Sequence, residues 1–188
     1  QRDVNIGLIN EIYLVCKKLK LDFNNIINLA SSKWNFLKFY PGLVGGHCLP
    51  VDPYYLSHIS KKNNFKTRIT LAGRYINDSM VDIVKNNINY ELKKIKKKEK
   101  KKILICGLSY KKNVADLRNS LAFKIFKDLN KKNNNIKGYD PLITKSNINS
   151  KNLVYSKKEL SKFDVFIILT NHTILRNQFK KLKNKIFI

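Results

Sequence analysis

The stretch GLVGGHCLPVDPYY, residues 42–55, brings together the side chains best suited to covalent chemistry in this chain. Gly42, Gly45 and Gly46 lead into His47 and Cys48, and Asp52 follows four residues later. A Gly-Gly pair permits positive φ and lets the backbone approach a ligand closely. The N–H groups of such a loop can stabilise a thiolate or an oxyanion. A thiolate held there attacks aldehydes and thioesters. The same spacing also suits a structural cysteine in a tight turn, and the residues alone leave both readings open. Asp52 could activate a water near Cys48, or cap a helix that opens at Pro53. His47 adjoins Cys48, but neighbouring loop side chains often point apart, which makes it a poor partner base. With the distant His58 these residues lack a convincing ligand set, so no metal is expected. Cys16 and Cys106 sit within apolar patterns and are expected in the core.

A second polar group lies in GLSYKKNVADLRNS, residues 107–120, with Lys111, Lys112, Asp116 and Arg118 inside eight positions. It follows an apolar strand pattern and precedes a helical one, the place where α/β units bind ligands. Its single glycine does not make a dinucleotide fingerprint. Cations at the end of a strand suit phosphate or carboxylate. With 33 Lys and only 5 Arg in the chain, Arg118 is more informative than any one lysine.

The elements that must carry these groups follow from periodicity. Val4, Leu8, Ile12, Val15 and Leu19 form a helical stripe over residues 4–19, and a short helix fits 22–31 with Asp22 as its cap. Residues 35–51 break every period with Pro41, the glycines and Pro50, and Asp52-Pro53 reads as N-cap and first turn of a helix to about Lys61. Ile69, Ala72, Ile76, Met80, Ile83, Ile88, Leu92 and Ile95 trace a helix of about 40 Å. It ends in KKIKKKEKKK, residues 93–102, read as a solvated linker. Beyond it the period changes. Strand patterns at 102–108, 135–141, 153–155, 164–170 and 185–188 alternate with helical ones at 123–129, 157–163 and between the last two strands. That alternation implies a parallel sheet covered on both faces. The expected organisation is an all-helical unit, residues 1–100, followed by a Rossmann-like α/β unit, residues 101–188.

Composition narrows the function classes. The chain has 188 residues, is 43% hydrophobic and so can bury a real core. Its net charge of +25 would ordinarily suggest nucleic acid. The 33 Lys and 24 Asn are spread over nearly every segment, however, where directed phosphate or base readout needs Arg forks and a local patch. A lysine-rich nucleic-acid binder is therefore the lesser alternative. Three cysteines without CxxC spacing make neither a disulfide scaffold nor a zinc site. No apolar run approaches the length of a membrane span and no signal peptide opens the chain, so a cytoplasmic location is expected. The start at QRDVN, without methionine, and the finish within a strand pattern suggest a fragment.

WNFLKFYPGLVGGHCLPVDPYYL (34–56), AGRYINDSM (72–80), GLSYKKNVADLRNS (107–120) and the opening QRDVNIGLINE closely resemble the nucleotide-sugar 6-dehydrogenases. The similarity is greatest to the branch that oxidises UDP-N-acetylhexosamines. It implies a helical central domain that forms a homodimer through its long helix, then an α/β domain that binds the UDP-sugar, with the Rossmann NAD domain absent. By the family's pattern a catalytic Lys and Asn lie just before Gln1, and a later arginine segment lies beyond Ile188. The resemblance makes Cys48 the nucleophile, Asp52 the aspartate that assists cysteine and water chemistry, and Gly42, Gly45 and Gly46 part of the sugar-site lining. It makes Lys111 a substrate-binding lysine and Arg118 an arginine reaching toward NAD. Tyr40 departs from the pattern, since the branch often has a basic residue there.

The implied reaction explains the thiol. Oxidation of C6 gives an aldehyde, Cys48 adds to it as a thiohemiacetal, and that adduct offers a second hydride and becomes a thioester for water to hydrolyse. An inactive dimeric remnant that still binds nucleotide sugar, or one half of a split enzyme, are the alternatives within this ancestry.

Overall fold

The computed structural model describes residues 1–95, 101–180, 182 and 184–188. Two compact units are present, Gln1–Val81 and Asp82–Ile188.

The first unit is helical. Helix α1 spans Arg2–Leu19 and stops where Lys20 turns left-handed at φ 58°. Helix α2, Phe23–Ala30, starts as expected from Asp22, whose carboxylate accepts from the N–H groups of Asn24 and Asn25. Ile9, Cys16, Phe23 and Ile27 form the core between α1 and α2, with Tyr13 edge-on to Phe23 at 5.6 Å. Cys16 is thus a core residue, as its pattern implied. The expected apolar stripe is not the buried face, because Leu8, Val15 and Leu19 are all more than half exposed. The buried face of α1 runs instead through Asp3, Gly7, Ile9, Asn10 and Cys16.

Helix α3 covers Asp52–Lys62 and helix α4 covers Arg68–Lys94. The 27 residues of α4 give it the anticipated length of about 40 Å. Its first half also departs from the apolar reading. Ile69 is exposed while Gly73, Arg74 and Asn77 are buried, and Met80 and Ile88 resume the apolar face. The reason is a close helix crossing. A Cβ on Gly7 would meet the Gly73 backbone at 2.9 Å, and one on Gly73 would meet Val4 Cα at 3.1 Å. Side chains beside such a contact are sealed from water, and here they are polar and mutually bonded. Of the lysine-rich stretch, Lys93 and Lys94 finish α4, while residues 96–100 lie outside the described residues.

The second unit contains a five-stranded sheet. Its elements are β1 (Ile103–Cys106), α5 (Leu121–Lys132), β2 (Ile136–Tyr139), β3 (Leu153–Val154), a 3₁₀ turn (Lys157–Lys162), β4 (Val165–Ile168), α6 (Thr173–Phe179) and β5 (Ile186–Phe187). Every pairing is parallel, in the order β3-β2-β1-β4-β5, with Ile103 level with Ile136 on one side and Val165 on the other. The unbroken burial of β1 explains its continuous apolar run, since a central parallel strand has no solvent face. Leu104, Cys106, Tyr139, Phe163, Phe166 and Phe179 lie in the core on one side of the sheet. The segment read as helix over 157–163 is a 3₁₀ turn, too short for α-helical bonds to propagate.

Candidate functional site

The cysteine loop is held by a polar network that starts in α1. Asn10 is fully buried and pairs with the Gly42 backbone: Gly42 N–H donates to Oδ1 at 2.8 Å, and Nδ2 donates to the Gly42 carbonyl at 3.1 Å. Asn10 Nδ2 also donates to Asn77 Oδ1 at 2.9 Å. Asn77 in turn donates to Asp3, at 2.9 Å to its carbonyl and 2.8 Å to Oδ1. Arg74 pairs with Asp3 at 2.6 Å and with Asp78, and Tyr54 donates to Asp78 at 2.9 Å. Burial works against the Arg74 charge, yet Asp3 and Asp78 together raise its pKa above the ordinary arginine value. The hydrogen bond to Asp78 raises that of Tyr54.

From Gly42 the loop runs past buried Val44 and turns at Gly46, which is buried with φ 94°. Gly45 is half-buried and Gly42 exposed. His47 and Cys48 follow, both exposed. The Cys48 carbonyl accepts from the N–H groups of Val51 and Asp52 at 3.0 and 2.8 Å, which fixes the cysteine against the start of α3. The capping expectation for Asp52 is corrected here: Val51 is the N-cap, no side chain makes a capping bond, and Asp52 is the first helical residue. Its exposed carboxylate is therefore not consumed by the helix start. Cys48, Asp52, Arg2, Asp3, Leu56 and Thr70 line one cavity of about 370 Å³, which His47 does not line. An exposed thiol and a carboxylate sharing a cavity can perform addition and water activation. Cys16 and Cys106 are buried, and burial raises the Cys106 thiol well above its ordinary value, which leaves it inert. Among the described residues no group of three or more His, Cys, Asp or Glu could hold a metal ion.

In the second unit, residues 107–120 connect β1 to α5 at the C-terminal edge of the sheet. Lys111 and Lys112 are exposed, and the Val114 N–H donates to the Lys111 carbonyl at 3.3 Å to close a turn. Arg118 is also exposed, but its guanidinium forks onto Asp116, with Nη2 at 2.8 Å and Nε at 3.0 Å. Ser120 caps α5 by accepting from Phe123 N–H, and its own hydroxyl donates to the Leu108 carbonyl at 2.5 Å. Beneath the turn, Asp140 and His172 are buried together at 3.1 Å. Burial pushes the Asp140 carboxyl up, but the bonds from His172, Leu142 N–H and Ser109 outweigh it and hold the group below its ordinary value.

The β1 turn does not fit a dinucleotide. Gly107 has φ 75°, and a Cβ there would meet the Thr170 carbonyl at 1.9 Å. Its bare face is closed against another strand end, not opened toward a pyrophosphate. The turn after β1 therefore leaves no room at its glycine for a pyrophosphate.

Sequence reasoning singled out the loops and missed the polar network behind the first of them. The signal was present: Asp3, Gly7 and Asn10 fall at helical spacing, as do Gly73, Arg74 and Asn77. The scarcity of arginine that marks Arg118 marks Arg74 equally.

Comparison with known proteins gives one consistent result. Residues 1–79 match the central domain of the UDP-glucose/GDP-mannose dehydrogenase family, and residues 104–188 match that family's UDP binding domain. A UDP-N-acetyl-D-glucosamine 6-dehydrogenase of Salmonella typhi is 37% identical over 185 residues, which are 97% of this chain and 43% of the relative. A UDP-N-acetyl-D-mannosamine dehydrogenase of Methanococcus vannielii is 34% identical over 201 residues, covering 100% of this chain and 44% of the relative. The solved UDP-N-acetyl-mannosamine dehydrogenase Cap5O from S. aureus superimposes with a TM-score of 0.78 at 29% identity, over 99% of this chain and 44% of that one. The chain thus spans less than half the length of these relatives.

Proposed function

Because the chain belongs to the UDP-glucose/GDP-mannose dehydrogenase family, we propose that it serves the NAD-dependent oxidation of C6 of a UDP-N-acetylhexosamine to the uronate. In this reading residues 1–100 form the helical part with the reactive thiol, and residues 101–188 bind the UDP-sugar. The observation that carries it is the exposed Cys48 sharing a cavity of about 370 Å³ with Asp52.

The Cys48 thiol adds to the C6 aldehyde: the C–S bond forms and the thiol proton passes to the carbonyl oxygen. Once the adduct has been oxidised to the thioester, Asp52 accepts a proton from water as the water attacks C6. The C–S bond then breaks, and the thiolate leaves with the carboxylate product formed. NAD, when bound, would supply the acceptor for both hydrides, and Arg118 is the one residue we assign toward it. Gly42, Gly45 and Gly46 line the sugar, Lys111 meets the diphosphate, and Arg118, released from Asp116, extends toward the cofactor. A homodimer through α4 belongs to the same reading, supported by the exposed Ile69 and Tyr75 on that helix. So does a cytoplasmic location; among the described residues no helix is long and apolar enough to cross a membrane.

Thiol trapping tests the proposal directly. Iodoacetamide should alkylate Cys48 ahead of buried Cys16 and Cys106. The C6 aldehyde of UDP-N-acetylglucosamine should slow that reaction, and UDP alone should not. An alkylation rate at Cys48 that is indifferent to the aldehyde would refute the assigned role.

A further inference from the structure

The chemistry proposed above makes no use of the buried Asp140–His172 pair. Asp140 follows β2, and its Oδ2 accepts from Leu108 N–H at 2.7 Å, Ser109 N–H at 2.9 Å and Ser109 Oγ at 2.7 Å. Its Oδ1 accepts from Leu142 N–H at 3.0 Å. His172 is fully buried, with Nε2 at 3.1 Å from the same Oδ2. On the other side of the ring, Asn113 N–H donates to His172 Nδ1 at 2.9 Å. That bond assigns the tautomer, because an accepting Nδ1 carries no hydrogen. The single ring proton is therefore on Nε2 and points at Asp140.

Asn113 is clasped from two further directions. Its Nδ2 donates to Thr173 Oγ1 at 3.0 Å, and Thr173 N–H donates back to its Oδ1 at 3.0 Å. It is also left-handed, with φ 60°, a conformation that costs a non-glycine residue energy unless its surroundings hold it. Asn113 lies inside the turn that closes from Lys111 to Val114. A chain of bonds therefore runs from the sheet edge through Asp140 and His172 to the backbone two residues from Lys111.

We propose that neutral His172 is a positioning residue, whose Nδ1 acceptor holds the Asn113 amide of the 111–114 turn and so presets Lys111 for a nucleoside diphosphate, with Asp140 only fixing the ring's tautomer. The inference rests on the UDP-sugar reading of this unit and deepens it. A turn ordered before binding spares the ligand the entropy of ordering it. Losing that acceptor should therefore weaken binding by about tenfold, without touching any group that contacts the ligand.

Two replacements separate the ring's two bonds. His172→Asn places an oxygen near Nδ1, so it keeps an acceptor for Asn113 but cannot reach Asp140. His172→Gln extends an amide toward Asp140 and gives up the Nδ1 acceptor. The full 188-residue chain, wild type and both variants, is followed by UDP calorimetry, hydrogen exchange at the Asn113 amide and ¹⁵N shifts of the imidazole. This role predicts an unprotonated Nδ1 and a protected Asn113 amide in the wild type. It predicts Asn113 protection and UDP affinity within about threefold of wild type in His172→Asn, and loss of both, about tenfold in affinity, in His172→Gln. Were His172 only a filler for the buried carboxylate, His172→Gln would be the milder change, and that order overturns the proposal. A protonated Nδ1 overturns it as well. A wild type that protects Asn113 yet binds no UDP removes the nucleotide role and identifies the UDP-sugar reading as the failed premise.

Discussion

Replacing Asn10 tests how the cysteine loop is held in place. The side chain is fully buried and makes three hydrogen bonds, two with the Gly42 backbone and one to Asn77. Asn10→Leu keeps the volume and removes all three. Gly42 is exposed, so its N–H and carbonyl can turn to water, at a loss of about 0.5–1.5 kcal/mol per bond. Asn77 is fully buried and has no such recourse. Nor can it rotate its amide, because Nδ2 is committed to Asp3. Its orphaned oxygen costs about 1–3 kcal/mol, and the total comes to about 2–6 kcal/mol, with the lower half expected since Gly42 faces water. Asn10→Asp should be worse. It still accepts from Gly42 N–H, but it sets a second oxygen against the Gly42 carbonyl and Asn77 Oδ1 and adds a buried charge to the network that already holds the Asp3 carboxylate. Urea unfolding followed by far-UV circular dichroism at pH 7 ranks the variants, and the rate of Cys48 alkylation reports the loop. The expected order of stability is wild type, Asn10→Leu, Asn10→Asp, with faster alkylation in Asn10→Leu. An Asn10→Asp variant as stable as wild type would refute the bonding scheme.

Further outcomes follow from the same geometry. Arg74→Met strands the buried Asp3 carboxylate and should cost about 3–5 kcal/mol in the same assay. Adding Asp3→Asn should restore part of that loss, and purely additive costs would contradict the pairing. The Asp140 carboxyl sits below its ordinary 3.8 in the folded chain, so the unfolded chain takes up this proton first as pH falls. Its contribution is therefore complete above about pH 4 and is lost as pH drops through the folded value. The urea midpoint of the wild type should fall more steeply between pH 5 and 2.5 than that of Asp140→Asn, and parallel curves would refute the assignment. Gly107→Ala would drive a Cβ to 1.9 Å from the Thr170 carbonyl at a positive φ, so a loss above about 3 kcal/mol is expected, and a neutral change would count against this packing.

The α/β unit was legible because its signals are local. An unbroken ILIC or VFII run and the helical steps of α5 each report burial from a few neighbouring residues. The single glycine of residues 107–120 already argued against a dinucleotide fingerprint, but the sheet order and the closing of that turn were not legible in this way. They depend on Thr170 closing over Gly107, a contact between residues far apart in the chain. In the first unit the element positions were readable but the buried faces of α1 and α4 were not. Periodicity assumes that apolar side chains mark the inside, and the Gly7–Gly73 crossing buries Asp3, Asn10, Arg74 and Asn77 instead. Cys48 and Asp52 stood out by residue type and spacing. Their shared cavity, and the release of Asp52 from capping, depended on where the backbone of α3 begins.

The central claim is that this chain binds a UDP-sugar, and calorimetry with UDP-N-acetylglucosamine at moderate salt tests it most directly. Saturable binding at one ligand per chain, weakened about tenfold or more in Lys111→Ala, is the expected result. A folded protein that takes up no heat from any UDP-sugar would contradict it.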